Sequence, residues 1–511
     1  MKKNQLKSGV VLSYINLALS SAIPILYTPV MLQILGQSEY GLYSLANSVV
    51  GYLSLLNFGI GSTVVRYLTK CRAQNDRKGE ERMLGLFVVI YSALTLLVLI
   101  VGTICALNCG LVYSAKLTRE ELSRMQLLIF LMTVNTAITF LFSAFTSVVL
   151  AHERYIFKKL TEMLSTVLAP CMNLLMLFMG FASVGLVIAT TIVHLLMYGS
   201  NLFYCLRVLK IRPRFKNMPF GIMKELVAFS AFVFLGMVGD MLYWATDKLI
   251  IGAMIGTAAV AVYNVGATFN TIVTSVSSAI SGVLTPRITN MVFTDCSKKE
   301  LTDIFIRVGR LQYILVSFII SAFIVFGQQF IRLWAGEAYA QAYPVALLTL
   351  VPILIPLIQN TGISIVIAQN KHRFRSVMYA VIAVVNAIST VFAVQYFGII
   401  GAAACSCAAY ILGNGLIMNW YYYKKTGIDI PLFWRNIIKM SPVAVGMTLL
   451  GLFATQYYSI DSWGRFFLGA IVYTLLFVPL AYFLMMNQYE RNMVRDPVIK
   501  LKNKLFKKEK V

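Results

Sequence analysis

Charge is scarce in this 511-residue chain: 13% of the residues are Asp, Glu, Lys or Arg, about half the share of a soluble domain. So few charges cannot cover a soluble protein of this size, and 59% of the residues are hydrophobic. Histidine is nearly missing, with only His152, His194 and His372 scattered along the chain, which argues against a histidine metal site. The eight cysteines (Cys71, Cys105, Cys109, Cys171, Cys205, Cys296, Cys405, Cys407) form no C-x-x-C pair. Most fall in apolar runs, where cysteine acts as a small hydrophobe, so neither a zinc motif nor a Cys105–Cys109 disulfide is expected. No A-x-A-like cleavage site follows Met1–Ser8, and the first apolar segment is expected to stay as a helix.

What the chain does have is long apolar runs. A bilayer core of ~30 Å takes about 20 apolar residues per helix. Fourteen stretches qualify: 9–34, 41–66, 83–106, 127–150, 164–180, 184–206, 226–253, 258–286, 308–328, 342–368, 376–394, 398–420, 437–457 and 466–486. The net charge of +24 suggests nucleic acid until the charges are placed. Of the 44 basic residues, 37 lie in, or within a few residues of, alternate connecting segments starting with the N-terminus, and 5 (Lys116, Arg119, Arg124, Arg332, Arg465) lie in the others. Membrane proteins collect Lys and Arg in cytoplasmic loops, so both termini are expected in the cytoplasm and no nucleic-acid partner is expected. The basic tail from Asn487 to Val511 reads either as a topological anchor or as a surface helix near anionic lipid.

The chain repeats itself. Leu35-Gly36-x4-Gly41-Leu42-Tyr43-Ser44-Leu45-Ala46 matches Ile255-Gly256-x4-Ala261-Val262-Tyr263-Asn264-Val265-Gly266 at offset 220. Val148–Arg154 resembles Ile365–Lys371 at offset 217, and Val184–Val187 resembles Ile400–Ala403 at offset 216. An offset of six spans keeps both halves in the same orientation, so the repeat is parallel, and such halves commonly rock about a midplane site. The expected organisation is a six-helix lobe over 1–216, a second over 217–425, two additional helices over 426–486 and a cytoplasmic tail over 487–511. The fold class is all-α, with about fourteen transmembrane helices.

Polar residues inside the spans mark the candidate site. Asn264, Ala267, Thr271, Thr274, Ser278 and Ser281 recur at +3 and +4, one helix face. Their counterparts in span 2 are Ser44, Asn47, Gly51, Ser54, Phe58 and Gly61. Small and hydroxyl residues suit close helix packing as well as a watered cavity. In span 7, Asp240, Trp244 and Asp247 share a face, with Asp240 ~20 Å along the helix. A carboxylate at that depth costs roughly 2.5–3.5 kcal/mol, which implies an ion pair, a coupled proton or cation, or contact with cargo. Lys248 follows Asp247 and therefore faces elsewhere. Arg66 and Arg287 close the cytoplasmic ends of spans 2 and 8, as snorkelling anchors or as a cationic mouth. Arg332 and Glu337 read as a local pair, and Thr118-x-x-Glu121 as a capping box.

Several motifs together resemble the Wzx-type polysaccharide flippases of the multidrug/oligosaccharidyl-lipid/polysaccharide exporter superfamily. They are Leu35-Gly36-x3-Tyr40-Gly41-Leu42-Tyr43, Phe58-Gly59-Ile60-Gly61, Asp247-Lys248 with Ile250-Ile251-Gly252, Val262-Tyr263-Asn264-Val265, Pro286-Arg287-Ile288 and Leu333-Trp334-x-Gly336. The resemblance implies two six-helix lobes in a V, with spans 1, 2, 7 and 8 around a central cavity. It implies a polyprenyl-pyrophosphate-linked glycan as cargo, flipped across the bacterial cytoplasmic membrane with no cofactor or bound metal beyond a coupling H+ or Na+. Glycosyltransferases and a polysaccharide polymerase are the implied partners. Arg66, Lys248 and Arg287 would meet the pyrophosphate; Asn47, Asn264, Thr271, Thr274 and Trp244 would line the cavity; Asp240 or Asp247 would bind the coupling ion. Family members often carry several cations there, whereas span 1 of this chain has none. Two rivals are a drug or cation antiporter of the same superfamily and a membrane polymerase. The polymerase would need catalytic groups on sizeable outer loops, which these loops do not offer, and no enzymatic activity is expected.

Overall fold

A computed structural model describes the backbone of residues 2–293, 297–369, 371–493 and 495. Side chains are described for these except at 2–10, 224, 228–229, 231–233, 235–236, 239–240, 242–244, 283–287, 289, 293 and 372. Every described regular element is helical. In chain order the helices are α1 (Lys2–Leu53), α2 (Ile60–Ala73), α3 (Arg77–Asn108), α4 (Arg119–Ala151), α5 (Tyr155–Phe178), α6 (Ala182–Phe203), α7 (Met223–Met254) and α8 (Thr257–Phe293). They continue as α9 (Lys298–Ala335), α10 (Ala342–Ile358), α11 (Asn360–Ala368), α12 (His372–Tyr410), α13 (Ile430–Ile438), α14 (Ser441–Tyr457) and α15 (Trp463–Leu480).

Among the described residues, 10 helical stretches are long and apolar enough to cross a membrane, or 11 if α10 and α11, bent by 44°, form one span. Two of them, Val11–Ala73 and Arg373–Thr426, run for 63 and 54 residues, well beyond the ~20 of a single crossing. The fourteen apolar stretches of the sequence therefore do not appear as fourteen separate helices. Spans 1 and 2 join at a kink, where Gly36 takes φ 73°, and α12 is kinked at Gly398 with φ 58°. The chain is an all-helical, multi-pass membrane protein.

Backbone conformation carries the repeat further than the letters do. Gly36 and Gly256, paired at offset 220, both take positive φ (73° and 129°), a region open to glycine because it has no Cβ. At offset 216, Ala182 and Gly398 pair in the same way (φ 47° and 58°).

Span 2 corrects an expectation. It was expected to be one helix over 41–66 with a single polar face, yet α1 ends at Leu53 and a 3-10 turn follows over Ser54–Asn57. Phe58 and Gly59 are left-handed before α2 begins. Its counterpart in α8 runs unbroken through the same register. The face shared by Ser44, Asn47 and Gly51 therefore does not extend to Phe58 and Gly61.

The chain forms two compact units, residues 1–266 with 376–405, and 267–375 with 406–511. In the first, α4 packs against α1, α2, α3 and α6. Close approach depends on small residues, since a Cβ on Gly102 of α3 would collide with the Thr133 side chain of α4. The Thr118 capping box forms as expected. Its Glu121 also accepts from Ser38 Oγ at 2.5 Å and Thr257 Oγ1 at 3.0 Å. In the second unit, α9 packs against α10, α13, α14 and α15. Phe305 sits 4.7 Å from Phe433 and 5.8 Å from Tyr422, ring centre to ring centre. Arg332 and Glu337 pair at 3.2 Å on an exposed turn, the local pair expected.

Gly41 gives a direct test of the first unit's packing. A Cβ there would overlap the backbone carbonyl of Thr257, which cannot swing aside as a side chain can. Gly41→Ala should lower stability by about 1–3 kcal/mol, seen as a lower unfolding midpoint of the solubilised chain. Gly446→Ala, with open space around the new methyl, should leave the midpoint unchanged or raise it.

Candidate functional site

The polar centre of the first unit is built on α7 and α8. Asp247 is 5% exposed. Its Oδ2 accepts from the Tyr263 hydroxyl at 2.5 Å and its Oδ1 from Thr390 Oγ1 at 3.3 Å. The next residue, Lys248, donates from Nζ to Asn264 Oδ1 at 2.5 Å. Asn264 in turn donates from Nδ2 to the Tyr40 hydroxyl at 2.6 Å and Ser44 Oγ at 3.2 Å. Successive side chains of a helix point to different sides, so Asp247 and Lys248 meet different groups, as the sequence order required. Both reach consecutive residues of α8, which ties α1, α7, α8 and α12 together through charged and polar contacts. A partly desolvated ammonium needs such an acceptor, because leaving a charge unpaired costs far more than burying an apolar group.

Asn47 lies elsewhere in the same unit, on the wall of a cavity of about 410 Å³. Around it stand Ser54 and Asn57 from the break after α1, Asn135, Thr136 and Thr139 from α4, and Thr190 and His194 from α6. His194 Nδ1 donates to Asn135 Oδ1 at 2.7 Å. Apart from Asn47 and Ser54, none of these residues is a site candidate in the sequence, His194 appearing there only as a scattered histidine. Asn57 directly before Phe58-Gly59 was the available signal for the break.

Thr271 and Thr274 belong to the second unit. Thr271 is exposed, and the buried Thr274 Oγ1 has no hydrogen-bond partner among the described residues. Further along α8, Ser281 Oγ accepts from Gln312 Nε2 at 2.5 Å and Asn360 Nδ2 at 3.0 Å. The stripe thus serves packing at its far end and leaves hydroxyls open nearer Thr274. Arg66 is exposed on α2. The side chains of Asp240, Trp244 and Arg287 lie outside the described residues.

Two further features belong to the second unit. An apolar slot of about 270 Å³ lies between α14 and α15, with Leu450, Val472 and Leu476 on its walls and Phe326 of α9 behind them. Arg310 of α9 pairs with Glu490 through Nε at 2.7 Å and Nη2 at 2.9 Å. No group of three metal-ligating side chains occurs among the described residues.

Several known proteins are similar to this chain. Over 484 residues, 93% of this chain and 94% of the relative, it is 21% identical to a membrane protein, EpsK, of Bacillus subtilis (strain 168). It is 18% identical to a putative O-antigen transporter of Shigella flexneri, over 77% of this chain and 92% of that one. Its fold is like that of the lipid II flippase MurJ in an inward closed conformation, with a TM-score of 0.75 at 13% identity over 95% of this chain and 99% of the other. The model of the polysaccharide biosynthesis protein family matches residues 6–292. The chain belongs to the polysaccharide biosynthesis protein family.

Proposed function

We propose that this chain flips polyprenyl-pyrophosphate-linked oligosaccharide repeat units from the inner to the outer leaflet of the bacterial cytoplasmic membrane by alternating access. The observation that carries this reading is the hydrogen-bonded polar interior, Lys248–Asn264–Tyr40–Ser44 and Asp247–Tyr263–Thr390, inside helices whose surface is otherwise fit for lipid. A sugar needs that interior, since each hydroxyl carried bare into hydrocarbon would lose its water partners. The prenyl tail does not, and stays in lipid, with the slot between α14 and α15 as its guide. Arg66 and Arg287 attract the anionic headgroup at the cytoplasmic mouth. Asp247, or Asp240 one helical stretch earlier, takes up the coupling proton or sodium ion. The sequence halves 1–216 and 217–425 are the parts that rock, and both termini stay in the cytoplasm. Glycosyltransferases supply the cargo and a polymerase consumes it; the chain itself makes and breaks no covalent bond.

Leaflet-resolved labelling tests this in vesicles holding the purified full-length chain and a polyprenyl-pyrophosphate-linked oligosaccharide. Glycan protected inside should become accessible to an external lectin only with the protein present, and Arg66→Ala should slow its transfer. Unchanged sidedness with and without protein would sink the reading.

A further inference from the structure

The cavity around Asn47 has a chemistry of its own. Among the described residues its wall holds no Asp, Glu, Lys or Arg, yet three amides, four aliphatic hydroxyls, the Tyr43 phenol and an imidazole line it. The aliphatic hydroxyl protons are already committed: Ser54 donates to Gly51 O at 2.6 Å, Thr136 to Met132 O at 3.0 Å, Thr139 to Asn135 O at 3.1 Å and Thr190 to Leu186 O at 2.8 Å. A hydroxyl has one proton and two lone pairs, so these four side chains offer a ligand acceptors only. Asn57 adds a buried Oδ1 with no partner among the described residues, a further acceptor and one that costs stability while unmet. Donors come from the amide groups of Asn47, Asn57 and Asn135. The helix break at Ser54–Gly59 opens this side of α1, and irregular backbone at membrane depth is tolerated where it borders a polar cavity.

A wall rich in acceptors and free of formal charge favours one kind of guest. A phosphate or carboxylate only accepts hydrogen bonds and needs a cation, so it would meet lone pairs and no counter-charge. A sugar ring brings several O–H donors, each able to accept as well, and Tyr43 and Phe140 add aromatic faces for its C–H side. At about 410 Å³ the space falls within the usual range of small-ligand pockets. We propose that this cavity, walled by α1, α4 and α6, is a subsite for an uncharged sugar ring, separate from the groups that meet the pyrophosphate. That such a sugar reaches it as part of a lipid-linked cargo rests on the flippase reading; the sugar specificity does not.

The test uses the full-length chain in lipid nanodiscs and a neutral trisaccharide carrying a diazirine. Light should attach it to segments 47–57, 132–140 and 187–194, as mapped by mass spectrometry. Unlabelled neutral trisaccharide should compete, and its uronic-acid analogue should compete about ten-fold less well, the equivalent of about one hydrogen bond exchanged for a mismatch. Asn47→Ala and Thr190→Val should each weaken labelling by a similar factor. Both variants are first checked for an unchanged unfolding midpoint, and if one fails that check the wild-type map and the other variant decide. Labelling elsewhere, no labelling, or equal competition by the uronate would overturn the subsite. Vesicle flipping measured alongside separates the two claims: flipping without labelling removes the subsite alone, and labelling without flipping removes the transport reading alone.

Discussion

Glu490→Ala is expected to cost the folded chain about 3–5 kcal/mol, the range for leaving a buried charge without its partner. The Glu490 side chain is 0% exposed and the Arg310 side chain 9% exposed, with Nε and Nη2 of the guanidinium on the two carboxylate oxygens at 2.7 and 2.9 Å. Nη2 also donates to Met485 O at 2.8 Å, and Arg307 lies 4.3 Å over the Tyr489 ring. The short segment after α15 is therefore fastened to α9 by a two-pronged ion pair and a cation–π contact. Removing the carboxylate strands a guanidinium that cannot lose its proton. Removing both charges does not, so Arg310→Met with Glu490→Leu should recover most of the loss. The measurement is the unfolding midpoint of the detergent-solubilised chain for Glu490→Ala, for Arg310→Met and for the double variant. A double variant as unstable as Glu490→Ala would mean that the pair's charges are not what holds this segment.

That pair shows where sequence reading stops. Its partners stand 180 residues apart, and Glu490 sits at the head of a basic tail that reads as an anchor. Local features were legible because their causes are local. The capping box needs only Thr118 and Glu121 in the right spacing, and the joint at Gly36 and Gly256 needs only a residue that accepts positive φ. The break in span 2 is hidden because Ser54 and Asn57 are the only hydrogen-bonding side chains in Leu53–Gly61, too few to interrupt an apolar run, and the backbone turns on Phe58-Gly59. The candidate site divides in the same way. Asp247 and Lys248 announced themselves because a charge in a membrane span is costly, and Asn264 because it follows the tyrosine shared by both repeats. Their partners Tyr40 and Thr390 carry no such cost and enter only through tertiary contact. Asn135 and His194 fell within apolar runs and showed their meaning only when α4 and α6 were side by side.

Asp247→Asn should cut flipping by about ten-fold or more and make what remains insensitive to the ion gradient. The side chain keeps its shape, so the change isolates charge and lone pairs. As a carboxylate, Asp247 accepts from Tyr263 through Oδ2 and from Thr390 through Oδ1; an amide can accept through one oxygen only, which loses about 1 kcal/mol of hydrogen bonding. That loss is structural and small, whereas losing the formal negative charge removes the feature a cation or proton would bind. Tyr263→Phe separates the two effects. It deletes the same hydrogen bond and keeps the carboxylate, so its unfolding midpoint should fall about as far as that of Asp247→Asn while the response to the gradient persists. If Asp247 is only a structural acceptor, the variants should behave alike, with flipping and gradient response retained in both. If it holds the coupling ion, they part company in the gradient experiment, because only one of them has lost the charge.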